Sequence, residues 1–349
     1  MELLIIGSDG ASPRLLNYYL QKGRMPSLQS FLETPETEMK PMASRFAGND
    51  VPHTGPAWTS IYTGLRAEQH GVTEEGWVEG RISLSPHFEN TVFSRLMDDG
   101  LTVGSFTMPI TYPAQVGNDS SWMLSGYPSS ELTDRLLSPA EKQPALPDDY
   151  SNLQAKHLLA EDGPKPPEKW VESERRKVND VLPCLATGDE DVLFYGTQIT
   201  DVMGHRARYR PFLLNGALNL ACEKTNDLLG TVIQPPRVGS IVWTKEMRTA
   251  YETLDWVFGK LIEKYQPEDV LLVSDHGFQL IGADHAFLGV SAATSGIERP
   301  ESILEVKRVI LDRFGIDEHQ ESTTIDRPQD ELDEEDEDVM GQLEALGYR

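Results

Sequence analysis

The sequence predicts an α/β fold: a doubly wound, mainly parallel sheet flanked by helices, with a cap or insertion. Three observations carry it. Short continuous apolar runs recur along the chain, as strands buried on both faces do. The first and last of these runs lead into loops that carry an acidic residue, Asp9 and Asp275. A long stretch with helical apolar spacing lies directly before the last run, which is the helix-to-strand unit of such sheets.

The first run covers residues 3–6 and ends in Gly7-Ser8-Asp9-Gly10. Ser12-Pro13 then supplies an N-cap and a first-turn proline for a helix carrying Leu15, Leu16 and Leu20. Further strands are expected at 102–107, 192–195 and 270–273. Between 246 and 265, Met247, Ala250, Leu254, Val257, Leu261 and Ile262 recur on one helical face. Sites of such sheets lie beyond the carboxyl ends of the strands, so Asp9 and Asp275 are expected in one crevice. Residues 113–183 are proline-rich with little periodicity and read as the cap or insertion. Residues 1–316 form one domain in this reading, and 317–349 an acidic tail with a short docking helix at 339–346.

With 349 residues, 39% hydrophobic, the chain is long enough for a large packed core. The formal charge of -25 is far from ordinary and makes a nucleic-acid polymer a poor partner. Two explanations compete: an acidic surface adapted to high salt, and an acidic tail that binds a basic partner. The spread of carboxylates along the chain favours the first. The two cysteines, Cys184 and Cys222, show no metal spacing and read as buried thiols. No apolar run approaches the ~18 residues of a membrane span, and the opening residues do not form a signal peptide, so a cytoplasmic location is expected.

The run from Val51 to Gly71 packs hydroxyls, tight turns and two histidines between apolar residues, an arrangement suited to holding one hydroxyl still. Asp275-His276 can offer an oxygen and a nitrogen ligand from a strand end. Asp201 and His205 share a face if helical, and Asp284-His285 adds a further pair. Each piece also fits a plain role as turn carboxylate, surface ion pair or helix cap. Together the mixed Asp/His set suits zinc or manganese better than calcium.

The ordered combination of the first strand with Asp9-Gly10, Thr54-x-Pro56 with Thr63-Gly64 and His70-Gly71, Asp201 with Gly204-His205, Ser274-Asp275-His276-Gly277, and His285-x-x-x-Gly289 resembles the alkaline phosphatase superfamily. Within it, the resemblance is to the type I phosphodiesterase and nucleotide pyrophosphatase branch. It implies an alkaline phosphatase-like sheet and two divalent ions, zinc first and manganese second. Thr54 is similar to the family's nucleophile and would join Asp9, Asp275 and His276 around one ion, with Asp201, His205 and His285 around the other. The implied reaction is attack by Thr54 on phosphorus and hydrolysis of the resulting phosphothreonine. The expected partner is a small-molecule phosphoester.

The chain departs from the branch at Ala57, where many diesterases carry an asparagine that holds a phosphate oxygen, and around Ala67, where a proline is usual. No Cys-x-Pro-x-Arg segment exists for sulfatase chemistry. Substrate preference is therefore not carried over from the branch; on the ligand set and Thr54, a phosphodiester or nucleotide-like ester is the leading substrate class, with a phosphomonoester or phosphonate as runner-up. A non-catalytic metal-binding scaffold with an acidic interaction tail is the reading from another class. His70 is expected in a turn or packing role, His53 as a substrate contact, and Trp122, Tyr127 and Trp170 as rings that stack on a base or sugar or else are buried.

Overall fold

The computed structural model describes residues 1–44, 52–72, 85–129, 134–153, 165–207, 244–279 and 285–317. Cys222, Asp284, the acidic run at 330–338 and the helix expected at 339–346 lie outside the described residues.

The strands are β1 (Leu3–Ser8), β2 (Glu38–Ala43), β3 (Val103–Met108), β4 (Trp122–Ser125), β5 (Leu137–Ser138), β6 (Val192–Thr197), β7 (Asp269–Val273), β8 (Gly277–Phe278), β9 (His285–Ala286) and β10 (Leu288–Ala293). Eight of them form one sheet in the order β2-β10-β7-β1-β6-β3-β4-β5. The five from β7 to β4 run parallel, and antiparallel strands close both edges. β8 and β9 make a separate two-stranded ribbon in which Phe278 faces His285.

The four expected strands are present; β1, β3 and β6 continue one or two residues beyond the run that signals them, and β7 begins one residue before its run. β1, β3, β6 and β7 are buried throughout, as parallel strands between two helical layers must be. Helices α1 (Pro13–Gln21), α2 (Pro26–Leu32), α3 (Thr54–Thr63), α4 (Ala67–His70), α5 (Val92–Asp98), α6 (Pro167–Arg176), α7 (Leu182–Leu185), α8 (Lys245–Tyr265) and α9 (Val306–Arg313) flank the sheet. α8 is the long amphipathic helix, and it buries Met247, Ala250, Leu254, Val257 and Leu261. At α1 the expected cap position is right, but Ser12 makes no side-chain cap bond; its N–H donates to the Tyr251 hydroxyl on α8 instead.

The proline-rich segment differs from expectation. β4 and β5 lie inside it and complete the sheet edge. Their runs are short and bounded by prolines, so local pattern gave them no strand signature, and pairing with β3 decides their state. Trp122 and Trp170 are core residues. The Trp122 indole donates to buried Glu190, so it is not a stacking platform. Cys184, expected buried, is exposed. No helix among the described residues is long and apolar enough to cross a membrane.

Candidate active site

The chain passes from β1 outward to β3 and β4, returns to insert β6 beside β1, and then places β7 on the other side of β1. This reversal opens a crevice at the carboxyl ends of β6, β1 and β7. Asp201 follows β6, Asp9 follows β1, and Asp275 and His276 follow β7, so Asp9 meets residues 192 to 267 positions away in sequence. His285 arrives on β9, and Thr54 is the first residue of α3.

Tight packing sets the positions. Gly10 has φ +71°, and a Cβ there would lie 2.8 Å from the Phe278 ring and 3.0 Å from the Asp201 Cα. Residues 199–207 are helical, which puts Asp201 and His205 on one face. Gly204 on this helix meets Phe278 so closely that a Cβ would come within 2.4 Å. Phe278 thus wedges between the Asp201 helix and the loop after β1, and its strand partner is His285.

Thr54 Oγ1 lies 3.4 Å from Asp9 Oδ1 and donates to it. His276 Nε2 lies 3.4 Å from Asp9 Oδ1, 3.4 Å from Asp275 Oδ2 and 3.9 Å from Asp201 Oδ1. Asp201 Oδ1 is in turn 3.4 Å from His205 Nε2 and 3.6 Å from His285 Nε2. The two imidazole rings of His276 and His285 stack with centroids 3.8 Å apart.

The outer contacts orient these groups. His285 Nδ1 donates to the Pro52 carbonyl at 2.7 Å, and His276 Nδ1 pairs with the Gly277 carbonyl at 3.2 Å. In both rings this leaves Nε2 directed into the cluster, the orientation of a metal-binding histidine. Gly10 N–H donates to Asp275 Oδ1 at 3.1 Å, and the Ser274 hydroxyl accepts from Ala11 N–H while donating to the His276 carbonyl. Thr200 donates to the Asp9 carbonyl. Thr200 and Pro52 are supports outside the sequence motifs, and the role of Ser274, which lies in one, is not legible there because its hydroxyl acts on backbone groups.

Burial and mutual charge strain the cluster. Burial, reinforced by the Asp201 carboxylate, holds Asp9 above the ordinary carboxylate range. Burial and Asp9 push Asp275 well above it. Burial opposes charge on His276, yet the carboxylates of Asp275 and Asp9 drive its pKa up to about 10. Burial also opposes charge on Asp201, but His205 brings its pKa below the ordinary value. Burial together with the neighbouring His276 and His205 pushes His285 well below the histidine range.

Asp9 Oδ2, Asp201 Oδ1, Asp275 Oδ2 and His276 Nε2 are buried and make no hydrogen bond. Native interiors rarely leave charged acceptors in this state, because each carries the full desolvation cost. A divalent cation is the partner whose chemistry matches, and two groups of side chains can hold one: Asp201, His205 and His285, and Asp9, Asp201 and His276, with ligand atoms in each group within 4.8 Å of one another. The first group is the expected one. In the second, Asp201 stands where Asp275 is expected: Asp201 Oδ1 lies between the histidines of both groups, while Asp275 Oδ2 lies 3.4 Å from His276 Nε2 and its Oδ1 accepts from Gly10 N–H.

The other expectations divide. Thr59, Thr63 and Ser60 are structural: the two threonines donate back to carbonyls one turn earlier, and Ser60 pairs with His70 Nε2 at 3.1 Å. His70 is buried, and its Nδ1 accepts from Val72 N–H, which closes the Gly71 turn as expected. The His53 ring stands edge-on to His285 at 6.0 Å.

The model of the family described as type I phosphodiesterase / nucleotide pyrophosphatase matches residues 3–289 of this chain. The chain belongs to this family. No curated protein matches the sequence. Among solved structures, similarity is found to phosphonoacetate hydrolase from Sinorhizobium meliloti 1021, with 16% identity, 80% of this chain and 57% of that one covered, and TM-score 0.40. The chain therefore spans less than two thirds of that relative's length. Similarity is also found to alkaline phosphatase from the Antarctic bacterium TAB5, with 12% identity, 89% and 97% covered, and TM-score 0.44. The C-terminal periplasmic domain of EcEptC from Escherichia coli shares 10% identity, with 95% and 87% covered and TM-score 0.41.

Proposed function

We propose that this chain is a metal-dependent phosphohydrolase that cleaves a phosphodiester or nucleotide-like phosphoester through a phosphothreonine on Thr54. The observation that carries the reading is the convergence of buried, hydrogen-bond-deficient ligand atoms beside a hydroxyl that opens a helix. Asp9, Asp275, His276 and Thr54 would hold one divalent ion and Asp201, His205 and His285 the other, with zinc the first choice and manganese the second. Such ions supply activation of a hydroxyl near neutral pH and neutralise charge on phosphoryl oxygens.

The chain's own residues do the rest. Asp9 accepts the Thr54 hydroxyl hydrogen bond and so orients its oxygen, and burial excludes competing water. Thr54 attacks phosphorus, the bond to the leaving oxygen breaks, and that oxygen departs as an alcohol or phosphoryl group. Water then displaces Thr54 from phosphorus and regenerates the hydroxyl. The first N–H groups of α3 have no intrahelical acceptor and point out of its N-terminus, which favours a phosphoryl anion there.

Ala57 is fully buried and offers no donor where many diesterases carry an asparagine, which keeps a phosphomonoester or phosphonate as the second substrate class. The substrate is read as a small molecule, because the formal charge of -25 repels a polyanionic polymer. The same charge supports a surface adapted to high salt, and the chain is read as cytoplasmic.

The test is Thr54→Ala with zinc or manganese supplied. Turnover of mono- and diester chromogenic substrates should fall at least ~1000-fold while metal binding, held by the remaining carboxylates and histidines, stays largely intact. Full activity in the variant would rule out the nucleophile, and a wild-type protein that binds metal but turns over no ester would leave the scaffold reading.

A further inference from the structure

Tyr127 follows β4 at the same carboxyl edge of the sheet as the metal-ligand cluster. It is buried, yet its hydroxyl has no hydrogen-bond partner. Other buried tyrosines are satisfied: Tyr62 donates to the Pro109 carbonyl, Tyr195 to Glu174, and the Tyr251 hydroxyl accepts from Ser12 N–H. Tyr265 also has an unpartnered hydroxyl, but it ends α8 just before β7 and so lies at the opposite edge of the sheet, where Glu190 acts on it.

The surrounding backbone holds Tyr127 still. Its carbonyl accepts from Ile110 N–H at 2.9 Å, and the preceding Gly126 N–H donates to the Met108 carbonyl and the Thr111 hydroxyl. A Cβ at Gly126 would lie 2.2 Å from the Met108 carbonyl oxygen, so the strand end is clamped on β3 with no slack.

Burial raises the phenol's pKa, and the carboxylates of Asp201 and Asp9 raise it further, which keeps the hydroxyl protonated. It is thus a protonated donor, buried at the edge of the sheet that carries the cluster and bonded to neither carboxylate. A phosphoryl group held by Thr54 and the cations would bring acceptor oxygens into this region.

We propose that the Tyr127 hydroxyl is an oxyanion-binding donor that holds a phosphoryl oxygen of the ester, supplying a hydrogen bond that Ala57 does not. The inference rests on the phosphoester reading above and names a residue for it. It also accounts for the substrate's orientation by a group outside the metal ligands.

The experiment compares wild type, Tyr127→Phe and Thr54→Ala, each as the full zinc-loaded chain. Three quantities are read: kcat and KM for bis(4-nitrophenyl) phosphate, the affinity for inorganic phosphate by calorimetry, and Tm. For Tyr127→Phe, phosphate affinity and kcat/KM should each fall about 10- to 100-fold, the usual range for a hydrogen bond to a charged group. Zinc content should be unchanged and Tm no lower, since the lost hydroxyl had no partner in the fold. Phosphate affinity and turnover both within roughly twofold of wild type would overturn the assignment, as would a fall in Tm that accounts for the lost activity. If wild type turns over no ester but binds phosphate more tightly than Tyr127→Phe, the donor stands and the hydrolase reading fails. If wild type turns over the ester and Tyr127→Phe matches it, the reverse holds. A wild type that neither binds phosphate nor turns over ester overturns both.

Discussion

Asp201 is the residue on which the two candidate metal groups meet. Its Oδ1 lies 3.4 Å from His205, 3.6 Å from His285 and 3.9 Å from His276, and no hydrogen bond satisfies it. Removing it should therefore weaken both groups, whereas removing His285 touches one. Elemental analysis of zinc-saturated protein should find Asp201→Ala depleted of both ions and His285→Ala retaining one; equal stoichiometry in the two variants would show that Asp201 is not shared. The motifs placed Asp201 and Asp275 in separate groups because sequence order carries no distances. The Gly10 contact that occupies Asp275 Oδ1 is likewise invisible without the fold.

At the scale of elements, α2 shows how a helix end is satisfied from elsewhere in the chain. Its N-cap residue, Met25, has no side-chain acceptor, and the buried Asp255 of α8 supplies one by accepting from Ser27 N–H at 3.2 Å and Leu28 N–H at 2.8 Å. Asp255→Ala should lower the unfolding free energy in urea by about 1–2 kcal/mol, the usual cost of a lost cap, with kcat unchanged. No loss of stability would mean that water replaces the carboxylate there. The strands β1, β6 and β7 and the helix α8 were legible because burial on two faces, or on one helical stripe, leaves a period in the residues themselves. β4, β5 and the β8-β9 ribbon were not. They are two to four residues long, and only their partners make them strands.

For the whole molecule, charge is the dominant property. A formal charge of -25 makes the folded state repel itself, and added salt screens that repulsion. The thermal midpoint of the metal-loaded protein should rise between dilute buffer and molar potassium chloride. A midpoint that is flat or falls over this range would refute the high-salt reading and leave the acidic tail as a partner-binding element.

The residues alone determined the class of fold and the chemistry on offer, because apolar periodicity and the identity of Asp, His and Thr side chains are local properties that survive without coordinates. The order of motifs likewise pointed to the family that the chain proves to belong to. Tertiary structure decided everything that depends on distance. It inserted β6 beside β1, and so brought Asp201 to Asp9 and His276. It buried Trp122 and Trp170 in the core, where they cannot stack on a ligand, and left the buried Tyr127 hydroxyl without a partner. The physical reason is that desolvation and charge coupling exist only between groups the fold has brought together, so their effects cannot be read one residue at a time.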